Sequence, residues 1–176
     1  MDINSDPKGI LLLTGSVGTG KTTVAAEIGE QLADMNLLNA VIDLDWLGWV
    51  NVREDFNGYD RLIMQNLVST WGNYRAVGVE YLVLARGLLE HKPMDMLKDA
   101  FPTSPVIIIR LLASRETVKR RLTQRDSGKT LREHLKEMDE MNQIMDELKL
   151  EYATVETDTI SVEEIAQRVI TIAGWK

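Results

Sequence analysis

Near its start the chain runs from an apolar stretch directly into a glycine-rich loop. Gly9-Ile10-Leu11-Leu12-Leu13-Thr14 is followed by Gly15-Ser16-Val17-Gly18-Thr19-Gly20-Lys21-Thr22. A helical pattern comes next, in which Val24, Ala25, Ile28, Leu32 and Met35 share one face. The eight-residue loop matches G-x-x-x-x-G-K-[ST] and has the strand-before, helix-after setting that the motif needs. Glycines let the backbone wrap closely around phosphate oxygens with its amide hydrogens pointing inward. The helix that follows offers its positive end to the same anion. Lys21 is placed to reach the β- and γ-phosphates, and the Thr22 hydroxyl is placed to ligate Mg²⁺. The expected nucleotide-binding set is Gly15, Ser16, Val17, Gly18, Thr19, Gly20, Lys21, Thr22 and Thr23.

Further apolar runs recur along the chain. Ala40 to Leu44, Tyr81 to Ala85 and Val106 to Leu111 read as buried strands, and Tyr152 to Glu156 alternates in the manner of an edge strand. Helical patterns separate them: Asp60 to about Arg75, Glu116 to about Gln124, a methionine-bearing helix from Leu131 to Leu150, and a last one running to about Ala173. Thr130-Leu131-Arg132-Glu133 and Ser161-Val162-Glu163-Glu164 both match a capping box. Strands alternating with helices predict an α/β fold on a parallel sheet. The methionine-bearing helix reads as core or as the face of a homodimer. With 176 residues and neither repeats nor a low-complexity linker, one domain is the economical organisation.

Composition narrows the function. The chain has 20 Lys and Arg against 27 Asp and Glu, a formal net charge of -7. A net acidic surface disfavours nucleic-acid backbones and anionic membranes as partners. There is no cysteine, which excludes disulfides, thiolate metal sites and a cysteine nucleophile. The two histidines, His91 and His134, are too isolated to suggest a metal site. No apolar run approaches the roughly 20 residues of a membrane span, and the acidic start has no signal-peptide character. A cytoplasmic location is expected.

The phosphate loop alone does not choose a reaction. The guanine-reading N-K-x-D segment of GTPases is absent, and the D-x-x-G match at Asp45 to Gly48 is short. The third strand ends Leu84-Ala85-Arg86-Gly87, without the acid that AAA-type and motor ATPases usually carry there. Acids instead close the second strand, as Asp43-Leu44-Asp45, and Arg115 to Arg125 includes Arg121-Leu122-Thr123-Gln124-Arg125, an R-L-x-x-R pattern. Together these features resemble the small-molecule kinase branch of phosphate-loop proteins. That branch includes nucleoside monophosphate, shikimate, gluconate and adenylylsulfate kinases and chloramphenicol-phosphotransferase-like enzymes. The resemblance implies a three-layer α/β/α core with a five-stranded parallel sheet in the order 2-3-1-4-5. It also implies ATP and Mg²⁺ as cofactors, a substrate-binding helical region at about 46–79 and a lid at about 121–129.

Residue roles follow from what phosphoryl transfer demands, which is positioning and charge neutralisation. Residues two apart on a strand face one side, so Asp43 and Asp45 are both expected to face the ligand crevice. Asp45 is assigned to the acceptor hydroxyl as its base, and Asp43 to Mg²⁺ through water. The alternative for either acid is a helix or turn cap. Arg121 and Arg125, four apart on one helix face, are assigned to the β- and γ-phosphates, with Gly128 as hinge or C-cap. Trp46, Arg53, Arg75 and Arg86 are assigned to the acceptor, the arginines for an anionic group. The alternatives are core packing for the tryptophan and an internal ion pair for Arg86. The expected activity is ATP- and Mg²⁺-dependent transfer of the γ-phosphate to a hydroxyl or phosphate of a small metabolite. The competing class is a nucleotide-hydrolysing switch or ATPase, in which water replaces the acceptor.

Overall fold

The computed structural model of the protein describes residues 5–53, 56–124 and 126–175. Five parallel strands form one sheet: β1 (Gly9–Thr14), β2 (Asn39–Asp43), β3 (Tyr81–Ala85), β4 (Val106–Leu112) and β5 (Ala153–Glu156). Their order is β2-β3-β1-β4-β5, as the kinase resemblance implies. β1 is buried along its whole length, which explains why its sequence is apolar at every position and does not alternate.

The two faces of β1 feed two cores. Leu11 and Leu13 pack with Val24, Ile28 and Leu32 of α1 (Lys21–Asp34) and with Ile165, Val169 and Ile170 of α7 (Val162–Ala173). Ile10 and Leu12 pack on the opposite face with Ile63, Leu67 and Trp71 of α3 (Tyr59–Ala76) and with Met94 and Leu97 of α4 (Lys92–Ala100). The result is the three-layer arrangement that strand–helix alternation predicts. A third small core joins α5 (Arg115–Thr123) to α6 (Gly128–Leu148) through Val118, Leu122, Leu135 and Met138.

Several local expectations need correction. β2 stops at Asp43, and a one-turn helix, α2 (Leu44–Leu47), begins at once. Asp45 is therefore not on an extended segment. α6 opens at Gly128 after Ser127, earlier than the capping-box match at Thr130 indicates, and Ser127 makes no side-chain cap hydrogen bond. The match at Ser161 is a true capping box: Ser161 Oγ accepts from the Glu164 amide, and the Glu164 carboxylate accepts from the Ser161 amide. The expected lid is mostly helix. Arg121 to Thr123 belong to α5 and Gly128 begins α6, so the linking segment is four residues long. α4 is not among the expected helices, although Pro93 in its first turn and the buried face of Pro93, Met94 and Leu97 mark it. The methionine stripe of α6 turns inward, burying Met138, Met141 and Met145 within the chain, so those side chains do not form an exposed dimer face. Among the described residues, no helix is long and apolar enough to cross a membrane.

Candidate functional site

All five strands point their C-terminal ends at the same edge of the sheet, and the loop after β1 lies at its centre. Gly15 has φ 143, and a Cβ built there would lie 2.6 Å from the Leu111 carbonyl oxygen, so no side chain fits. Gly20, at the N-cap of α1, is left-handed with φ 98. The first amides of α1 therefore open towards the loop without intrahelical acceptors. Lys21 Nζ donates to the carbonyl oxygens of Gly15 at 2.9 Å and Ser16 at 3.1 Å. Burial holds the Lys21 ammonium below the usual lysine value, against the opposing pull of Asp45, Asp43 and Glu137.

A cavity of about 480 Å³ opens over this loop. Val17 to Val24, Asp43, Asp45, Arg121, Leu122, Val162 and Ile165 line it. The Thr22 hydroxyl donates to Asp43 Oδ2 at 2.6 Å. Asp43 Oδ1 in turn accepts from the Asp45 amide at 3.1 Å, capping α2. So Asp43 is a cap, one of the alternatives the sequence left open, and it faces the loop at the same time. Thr22 and Asp43 offer one hydroxyl and one carboxylate at the mouth of the loop, the hard oxygen donors that Mg²⁺ prefers.

Asp45 reaches the cavity from the first turn of α2. Its side chain is 66% exposed, yet partial burial against the cleft wall, followed by the nearby Asp43 charge, raises its carboxyl above the ordinary aspartate value. Arg86 and Lys21 pull in the other direction.

Arg86 leaves the end of β3 and donates from Nη2 to Asp60 Oδ1 at 2.6 Å, and its Nε lies 3.8 Å from Asp45 Oδ1. The Arg86 and Asp60 side chains are only 14% and 16% exposed. The ion pair considered for Arg86 is therefore present, and it joins the end of β3 to the first turn of α3. Trp46 and Trp49 stack on each other with ring centroids 4.9 Å apart and an interplanar angle of 13°. They are 66% and 77% exposed, so they do not serve as core.

Arg121 is clamped rather than free. It donates from Nη1 to the carbonyl oxygens of Gly18 and Thr19 and to Thr157 Oγ1, and from Nη2 to the Thr157 carbonyl oxygen at 2.7 Å. This guanidinium ties the phosphate loop to the segment after β5. Arg125 lies outside the described residues.

Two predicted acceptor residues fall elsewhere. Arg53 lines a separate open cavity with Asn51, Val52, Phe56 and Asn57. Arg75 lies at the opposite end of the sheet, in a cavity with Lys8, Trp71 and Glu80. The reason is geometric. α3 starts beside Arg86 and runs back towards the start of β3, so its last turn lies about 22 Å from its first. Two residues of the site carried no sequence motif. Asp60 is identified only by its pairing with Arg86. Glu137 acts electrostatically on Lys21 and Asp45 from α6, a helix distant in sequence.

Comparison with known proteins agrees with this architecture. The AAA domain family matches residues 11–145. No curated protein sequence matches the chain. Among solved structures, a gluconokinase from Sinorhizobium meliloti 1021 superposes with a TM-score of 0.64 at 17% identity, covering 97% of this chain and 94% of its own. Shikimate kinase from Acinetobacter baumannii, in complex with shikimate, gives 0.63 at 18% identity, covering 93% and 92%. The Mycobacterium tuberculosis APS kinase, in complex with AMPPNP and APS, gives 0.56 at 16% identity, covering 96% and 99%. With the family match spanning most of its length, this chain belongs to the AAA domain family, and its phosphate-loop fold is the one seen in small-molecule kinases.

Proposed function

We propose that this protein is an ATP- and Mg²⁺-dependent phosphotransferase that moves the γ-phosphate to a hydroxyl or phosphate of a small molecule. The observation that carries this reading is the single cavity in which the phosphate loop, the Thr22–Asp43 contact and the Asp45 carboxylate meet. An acceptor hydroxyl must lose its proton as it attacks, and a partly desolvated carboxylate beside the γ-phosphate position can take it; a hydrolytic ATPase would use the same group on water, so dependence on an acceptor is what separates the two classes. The structural neighbours named as kinases support the same class.

In this reading the triphosphate replaces the Gly15 and Ser16 carbonyl oxygens as the partner of Lys21, and the open amides of α1 take the phosphate oxygens. Thr22 directly and Asp43 through water would hold Mg²⁺, which would supply charge neutralisation on the phosphates. The nucleobase lies on the side of the cavity bounded by Arg121, Val162 and Ile165. The acceptor enters from the α2 and α3 side. Its oxygen forms the new bond to the γ-phosphorus, the bond from that phosphorus to the departing ADP oxygen breaks, and the hydroxyl proton passes to Asp45. The raised affinity of Asp45 for a proton suits that step.

The test is Mg²⁺-ATP turnover to ADP with and without a panel of hydroxylated and phosphorylated metabolites, with Lys21→Ala as the blank. Stimulation by one compound class, with a phosphorylated product, is the expected result. Steady hydrolysis that no acceptor stimulates, and that the blank abolishes, would replace the kinase with the switch or ATPase class.

A further inference from the structure

We infer that the protein holds a second ligand site at the end of the sheet remote from the phosphate loop. It is a cavity between α3 and the segment before β1, and it takes a small molecule with an apolar body and one carboxylate. The inference does not depend on the phosphotransferase reading.

The cavity has a volume of about 430 Å³, within the usual range of small-molecule sites. It shares no lining residue with the cavity over the phosphate loop. Trp71, Ala76 and Val79 give it apolar surface. Its walls are held in place without a ligand. Trp71 Nε1 donates to the Ser5 carbonyl oxygen at 3.3 Å, and the Trp71 ring meets Phe101 edge-on with centroids 6.5 Å apart. The Ser104 hydroxyl donates to the Pro7 carbonyl oxygen at 2.7 Å, and the Lys8 amide donates to the Glu80 carbonyl oxygen at 2.8 Å. The segment before β1 is thereby tied to three neighbouring parts of the fold.

The charges of this cavity leave one cation over. Lys8 Nζ is paired with Glu80 Oε1 at 2.7 Å. Asp6 Oδ2 accepts from both the amide and the hydroxyl of Thr103, at 2.8 and 2.7 Å. Arg75 is half-buried, and among the described residues its guanidinium has neither an ion-pair partner nor a hydrogen bond. A guanidinium beside apolar surface offers two parallel donors to a carboxylate, which an amide of the same shape cannot match. Arg75 stands in the last turn of α3, but the carbonyl oxygens there are not left to repel an anion. The amides of Val77 and Val79 take the Tyr74 carbonyl oxygen, and the Gly78 amide takes that of Arg75.

Gly72 supplies a second, independent observation. It lies inside α3, where glycine is among the least favourable residues. Its backbone is helical, so no turn requires it. A Cβ built on it would meet no atom beyond its own stretch of helix within 4 Å, so no close packing requires it either. What the missing side chain leaves is open space in the cavity next to Trp71 and one turn from Arg75.

The test is isothermal titration calorimetry on the whole chain with indole-3-acetate, 3-phenylpropionate and octanoate, each against its own amide. In at least one pair the carboxylate is expected to bind about tenfold more tightly than the amide, and to raise Tm. The same preference is expected in Lys21→Ala, which separates this site from the phosphate loop. Arg75→Gln leaves the apolar surface in place and is expected to bring the carboxylate down to the level of its amide. Gly72→Leu is expected to fill the space, keeping a Tm at or above that of the unliganded wild type while weakening the carboxylate at least about tenfold. Equal binding of every carboxylate and its amide, a preference lost in Lys21→Ala or kept in Arg75→Gln, undiminished binding in Gly72→Leu, or no binding of any probe would overturn the inference.

Discussion

The Thr22 hydroxyl lies 2.6 Å from Asp43 Oδ2, joining the first turn of α1 to the last residue of β2. These are the two groups proposed to hold Mg²⁺, and they are already in contact. Thr22 would offer a bound cation its hydroxyl oxygen and Asp43 its negative charge. Asp43→Asn keeps the size and the cap geometry but removes the charge. It is expected to raise the Mg²⁺ concentration needed for half-maximal turnover by about 10- to 100-fold, the usual cost of losing such a group. An unchanged Mg²⁺ titration would place the metal elsewhere.

Asp45→Asn removes the proposed base. Turnover with a saturating acceptor is expected to fall about 10²- to 10⁴-fold. A loss within about threefold, below the range a general base supplies, would end the assignment.

The same residue sets a pH dependence. Its carboxyl is raised above the ordinary aspartate value, first by burial and then by Asp43. A base must be deprotonated, so the acid limb of kcat/KM is expected above the ordinary aspartate range. Arg86 lowers the Asp45 value, and Arg86→Gln removes that cation. The limb should then move to higher pH, whatever happens to the maximal rate. A shift to lower pH, or none, would show that the limb belongs to another group.

Arg121→Ala cuts four hydrogen bonds that hold the loop carbonyl oxygens of Gly18 and Thr19 to Thr157. Charged hydrogen bonds of this kind contribute about 1.5–3 kcal/mol each when well formed. Partial exposure discounts that figure, so nucleotide affinity is expected to fall about tenfold. Titration with a fluorescent ATP analogue measures it. Arg121→Lys is expected to rescue little, because an ammonium cannot span both partners. A residue that acts only when a lid closes would instead alter kcat and leave binding unchanged.

Ser161→Ala tests the capping box of α7. Loss of such a cap costs about 1 kcal/mol, which for a chain of this size lowers Tm by about 2–4 °C. Thermal unfolding measures the shift.

The central strands were legible because β1, β3 and the middle of β4 are buried and so read as largely apolar runs, whereas their order followed only from the resemblance to small-molecule kinases. The phosphate loop was legible because its geometry tolerates few residues. The acid pair was found for a partly mistaken reason. Asp43 and Asp45 do share a cavity, but through the helix cap between them and not through strand alternation. Arg53 and Arg75 show where sequence proximity fails. Both lie in the expected substrate region of the chain, yet the direction of α3 carries Arg75 to the far end of the sheet. Asp60 and Glu137 were not legible as site residues at all. Each acts on a partner brought near by tertiary packing, and no spacing within one element records that.

The sheet order has a consequence for how such a protein can change. β1 pairs with β3 on one side and β4 on the other. In the proposed reading the nucleotide lies on the β4 side, by Arg121 and α7, and the acceptor on the β3 side, by α2 and Arg86. The two cores that support these halves share β1 yet draw on different helices. Under the proposed function, substitutions between Asp45 and Asp60 would therefore redraw what is phosphorylated while the fuel-handling half keeps its packing, so a lineage could exchange one acceptor for another without refashioning its use of ATP.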